Sequence, residues 1–280
     1  MIDPYIVSAI AIFLIGTILL TKTSAKRYLI FFMIHTRRGM GLVEKVANLS
    51  PSLWKFLGDL AIVISFGGFG SFYVSRYRNT WKISAVLGVV CLIFTYMNFD
   101  IMYTVAGIFV LVFGMMLLKW SDKPILHFLS GVVLMGLIMF NIYPNFSNTE
   151  MFRPVMSLLV GIVGIPALLI SMLFLHASKI VVEQSMVPGV SPLLPTISDE
   201  GLGFYFPGTG LFIPFWQAVI AIICLLVPHE FAHGVLTRAH NIKLKSAGVL
   251  TVGPLPIGAF VEPDDKDMKE HKGNERMRMY

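Results

Sequence analysis

LFIPFWQAVIAIICLLVPHEFAHGVLT, residues 211 to 237, is an almost wholly apolar run that ends in two histidines and a glutamate. It is longer than the roughly 20 residues a helix needs to cross about 30 Å of hydrocarbon, so a membrane-spanning helix is expected here. The rest of the chain is of the same kind. Of its 280 residues 56% are hydrophobic and 14% charged, and the mean hydropathy is +0.76. Such a composition excludes an ordinary soluble domain.

Seven spans can be drawn, at about 5 to 21, 57 to 75, 82 to 98, 101 to 118, 125 to 143, 155 to 180 and 211 to 237. The expected fold is therefore an all-α polytopic membrane protein of about seven transmembrane helices. A glycine-rich β or re-entrant segment, SAGVLTVGPLPIGAFVEPDD (246–265), follows the last of them. The apolar stretch from Tyr5 to Leu20 lacks a basic n-region and reads as the first span, not a signal peptide. Residues 185 to 214, rich in proline and glycine, read as an irregular external loop. Residues 1–180 thus hold about six spans, and 181–280 hold the external loop, the histidine helix, the glycine-rich segment and a basic tail.

Most of the 22 lysines and arginines fall inside if the N-terminus faces outward; Arg76, Arg78, Lys82, Lys119, Lys123 and Lys179 are the exceptions. That orientation puts Arg238 and the tail on the cytoplasmic side of the cell membrane. The formal charge of +6 then serves topology, and nucleic acid is discounted as a partner. Cys91 and Cys224 both lie in apolar runs, which gives no support to a disulfide framework.

His229, Glu230 and His233 form an H-E-x-x-H motif. At about 100° per residue the two histidines share one helix face, one turn apart, close enough for both imidazoles to hold a single ion. Zinc accepts neutral imidazole nitrogen and leaves a position for water in catalytic sites. Glu230, beside that face, is placed to take a proton from an attacking water and pass it to a leaving amine. A charged group at mid-membrane costs roughly 2 to 3 kcal/mol, so residues kept there are functional candidates by default. Pro228 has no N–H for the carbonyl of Cys224, and a bend is expected just before His229. His35, His127, His176, His240 and His271 read as non-ligands, His240 because about 10 Å of helix separates it from His233.

HEFAHG (229–234) at the end of an apolar helix, followed by AGVLTVGPLPIGAFVEPDD (247–265), resembles the site-2 proteases, zinc metalloproteases that cut within the membrane. VPGVSPLLP (187–195), FPGTGLFIPFW (206–216) and, more loosely, the basic region at 35–70 are similar to archaeal-type members. The resemblance implies a metalloprotease core portion in 181–280 and one catalytic Zn2+ held by His229 and His233, with Glu230 as general acid and base. It also implies a substrate path along Gly253, Gly258, Ala259, Phe260 and Val261. The implied partners are a transmembrane protein substrate and the lipid bilayer, with catalysis near the cytoplasmic side.

The family takes its third zinc ligand from an aspartate in a later membrane helix, and no such motif follows Val261. Asp264, Asp265 and Asp267 lie in a charged tail and are not promoted to ligands. The expectation is a truncated copy of an intramembrane endopeptidase, inactive in this form. A non-catalytic adaptor that binds transmembrane helices stands as the alternative. A metal transporter would need ionisable residues spread over several spans, and only Asp59 and Asp100 sit at span edges.

Overall fold

A computed structural model describes residues 4–23, 25–37, 39–98, 101–142, 152–182, 194–198, 201–206, 211–271 and 273–279. Its contacts divide the chain into two compact units: residues 1–55 with 191–280, and residues 56–190. The division differs from the one drawn at residue 180, because the first 55 residues pack with the C-terminal part.

The second unit is helical. It takes most of α3 (Pro51–Ser75), then α4 (Trp81–Asn98), α5 (Ile101–Lys119), α6 (Pro124–Ile142), α7 (Arg153–Val163) and α8 (Ile165–Val182). Ile62, Val63, Val74, Ile83, Leu87 and Met135 form its main buried cluster. Around it, small residues let backbones approach closely. A Cβ at Gly131 would stand 3.0 Å from the Cα of Gly68 and 2.7 Å from the Cβ of Ser71, which ties α6 to α3. Buried polar side chains tie helices together: Ser71 Oγ donates to the carbonyl of His127 at 2.7 Å, and Thr80 Oγ1 meets His127 Nδ1 at 2.8 Å.

Two departures from the expected spans have one cause. The stretch read as a single span from 155 to 180 is two helices, broken at Gly164 (φ 81°). Gly67 (φ 56°) interrupts α3 at the same place, where its backbone lies against that of Val160, Gly161 and Gly164. Both dihedral pairs lie where only glycine is unstrained. Helix-scale hydropathy does not register such a crossing. Among the described residues five helices are long and apolar enough to span a membrane: α3, α4, α5, α6 and Phe215–Ala239. Seven was the expectation; α1 (Pro4–Thr21) is an apolar helix whose Ile10–Thr21 portion is shorter than that criterion. This is a multi-pass membrane protein, mostly helical but with two β-sheets, so the all-α class is corrected to a helical protein with sheets.

Both sheets belong to the first unit. β3 (Leu194–Ser198), β4 (Gly201–Phe206) and β5 (Leu211–Pro214) form an antiparallel sheet within the segment read as an irregular loop. Residues 187–193 and 207–210 of the quoted motifs lie outside the described residues, as does Asp100. The other sheet is four-stranded in the order β1-β2-β6-β7, antiparallel throughout: β1 (Lys26–Tyr28), β2 (Phe31–Thr36), β6 (Leu244–Val252) and β7 (Leu255–Pro263). Its second half is the glycine-rich segment. Its first half, residues 26–36, was read only as a basic loop.

Candidate metal centre

The last spanning helix, α9 (Phe215–Ala239), follows β5 directly and runs unbroken through Pro228, with no interruption where a bend was expected. Its C-terminal third is held from two sides. The amphipathic α2 (Met40–Leu49) packs Val43 and Ala47 against Val235, with Phe231, Trp54 and Leu244 around them. Arg238 Nη2 forms an ion pair with Glu44, and Arg238 Nη1 donates to the carbonyl of Ile242 at 3.2 Å. On another side β7 approaches at Gly234: a Cβ there would stand 3.2 Å from Val43 Cγ1 and 3.6 Å from both methyls of Val261. Gly234 therefore keeps the residue after His233 in contact with both α2 and β7.

The two histidines converge. His229 Nε2 and His233 Nε2 are 3.1 Å apart, with ring centroids at 4.6 Å and planes at 81°. Two imidazole nitrogens each about 2.05 Å from a tetrahedral ion stand about 3.3 Å apart, so the pair fits a shared divalent ion. Thr237 Oγ1 donates to the carbonyl of His233 at 2.8 Å and steadies the turn that carries the second imidazole. Glu230 is half-buried between the two histidines in sequence. Among the described residues no group of three or more His, Cys, Asp or Glu gathers in ligand geometry, so a third protein ligand is not found there.

The tail aspartates have other work. Asp264 caps α10 (Asp265–Glu270), accepting from the backbone N–H of Lys266 at 2.9 Å and of Asp267 at 3.3 Å. These backbone bonds, from Asp267 first and Lys266 second, hold its carboxyl below the usual range. Asp267 accepts from the N–H of Lys243. His240 is buried at the C-cap of α9, 4.0 Å from Glu275 on α11 (Gly273–Met279), and does not join the pair.

Gly253, Gly258, Ala259, Phe260 and Val261 are brought together on one hairpin. Gly253 (φ 55°) makes the turn between β6 and β7, close to Thr17 and Phe13 of α1, and the other four lie on β7. β7 is an edge strand, so among the described residues its outer edge has no strand partner. Phe260 packs edge-on against His35 at 5.1 Å between centroids. Sequence reasoning missed β2; the apolar run Phe31–Ile34, with its aromatic and β-branched residues, was the available signal. Beside Phe260, Glu262 accepts from Lys245 Nζ at 2.8 Å and Ser246 Oγ at 2.6 Å. The Lys245 bond, then the Ser246 bond, lower the Glu262 carboxyl, and the same contact raises Lys245. The carboxylate's contribution to the hairpin is thus present above the ordinary value of 4.5 and lost as pH falls through the lowered one. Thermal unfolding followed from pH 6 to pH 3 is expected to show a small loss that Glu262→Gln flattens.

A converging histidine pair on a spanning helix thus lies beside an open-edged sheet in a multi-pass membrane protein. Residues 217–280, from within α9 through the hairpin and tail, match the model of Peptidase family M50, the site-2 protease family. Members of that family are metallopeptidases and generally zinc-dependent. The chain is also similar to an uncharacterized protein of Methanocaldococcus jannaschii, 34% identical over 107 residues, which are 38% of this chain and 28% of that protein. The chain thus matches well under two thirds of the length of this relative. No solved structure matches it.

Proposed function

We propose that the protein is an intramembrane zinc endopeptidase that cleaves transmembrane segments of membrane-anchored proteins. The observation that carries this reading is the 3.1 Å convergence of His229 and His233 on a spanning helix. His229 and His233 would hold one zinc ion. When bound, the ion supplies Lewis acidity at the reacting water and carbonyl. Glu230 takes the proton from the attacking water and delivers it to the leaving amine.

A helical substrate uses its carbonyls in its own hydrogen bonds, so the scissile segment must first unwind. The open edge of β7 offers backbone partners to such an extended segment, the mode of strand addition. Val261 lies against Gly234, next to His233, so a peptide laid along β7 passes the imidazole pair. The N-terminus faces out and the site lies near the cytoplasmic side, which is the orientation that places Arg238 and the tail inside.

The test is cleavage of a single-span reporter co-reconstituted with the full-length protein in liposomes. Cutting within the apolar segment, abolished by chelation, supports the reading; zinc retained with no cutting of any reporter favours the non-catalytic adaptor instead. Ala259→Pro, which cannot extend a strand ladder, is expected to lower cleavage at least ten-fold while zinc content stays unchanged. Unaltered cleavage in that variant would remove the role of β7.

A further inference from the structure

The four-stranded sheet has a tip and a base that differ in chemistry. At the tip, the turn of β1–β2 exposes Tyr28, Leu29 and Ile30, the last two at 85% and 62%. The pairing of Phe31 with Val252 sets that turn level with Gly253 and Pro254. Pro254 lies against Gly16 of α1: a Cβ at Gly16 would stand 2.8 Å from it. Gly16 is about 7 Å of helix short of the end of α1 at Thr21, on a helix whose Ile12, Leu14, Ile18 and Leu19 face outward. At about 3.3 Å per residue, the stretch from Phe31 to His35 carries the sheet some 13 Å from the tip.

At this base is a cleft of about 330 Å³ lined by Lys26, His35, Thr36, Arg37, Lys245, Ser246 and Glu262. Glu262 is its one acid, and it is occupied by Lys245 and Ser246. Lys26 and Arg37 have no acidic partner among the described residues. Among the lining residues three cations stand against one carboxylate, while Asp264 and Asp265 act on Lys245 from outside the lining. Guanidinium and ammonium donors around a small cleft suit a phosphate oxyanion.

We propose that Lys26, Arg37 and Lys245 form a binding site for the phosphate of an anionic lipid headgroup. The shared chemistry is that of any phosphate anion; the spanning helices hold the chain in a bilayer, where the lipid headgroup is the source argued for, and the titration separates the two. Lys245 and Glu262 lie on β6 and β7, so a lipid seated here holds the same hairpin that carries the edge strand. The site is independent of the histidine pair and is tested without activity.

The full chain, in an uncharged detergent, is titrated with dioctanoyl phosphatidylglycerol, dioctanoyl phosphatidylcholine and inorganic phosphate, with binding read by native mass spectrometry. Phosphatidylglycerol is expected to bind at least ten-fold more tightly than phosphatidylcholine, and equimolar inorganic phosphate is expected not to displace it. Each cation near an anionic lipid contributes about five-fold, so Lys26→Gln with Arg37→Gln is expected to weaken phosphatidylglycerol by roughly 25-fold. Lys26→Arg with Arg37→Lys, which keeps both charges, is expected to retain most of it and shows that the loss is not misfolding. Equal binding of the two lipids, no loss in the glutamine variant, or displacement by equimolar inorganic phosphate would each overturn the proposal.

Discussion

Zinc retained at close to one ion per chain by the full-length protein, and lost in His229→Ala or His233→Ala, is the expected result of metal analysis after gel filtration. The two imidazole nitrogens stand 3.1 Å apart, close to the separation a single tetrahedral ion would impose, and each would supply a bond the other cannot replace. Glu230→Gln separates binding from chemistry. It keeps the shape of the side chain and both histidines, so the ion stays, but a neutral amide cannot take a proton. A positioned general base contributes about 10²–10⁴ in rate, and reporter cleavage is expected to fall by that factor. Zinc lost in Glu230→Gln would show instead that Glu230 serves the site by structure. Zinc kept in both histidine variants would remove the metal centre altogether.

The largest expected loss of stability lies away from that site. Asp59, on α3, is fully buried and accepts from Arg78 Nη1 at 2.9 Å and Tyr77 Oη at 3.0 Å, while Phe56 packs under the guanidinium at 5.6 Å. Arg78→Ala removes the cation paired with a fully buried carboxylate, a change that costs about 3–5 kcal/mol. Unfolding in mixed micelles is the measurement. Asp59→Leu combined with Arg78→Leu is expected to recover most of the loss, because removing both charges also removes their desolvation cost. A single variant as stable as the parent would mean that Asp59 is charged by some other partner. Asp59, read at the edge of a span, lies within α3 and is bound inside its own helical unit.

The sequence alone located five of the seven stretches read as spans, while those at 5–21 and 155–180 are not among the described helices long and apolar enough to cross. Apolar length marked the spanning helices, including Phe215–Ala239, because crossing hydrocarbon is a local requirement on some 20 consecutive residues. The H-E-x-x-H spacing likewise put His229 and His233 on one face, since a helix converts an interval of four residues directly into proximity. What tertiary structure decided are the contacts between segments far apart in the chain. β2 at residues 31–36 is paired with β6 at 247–252, and nothing in the local pattern of either names the other as its partner. The edge position of β7 and the cationic cleft both follow from that pairing. The break at Gly164 is of the same kind: it exists because the backbone of Ser65 passes there, and hydropathy averaged along one helix carries no information about a second.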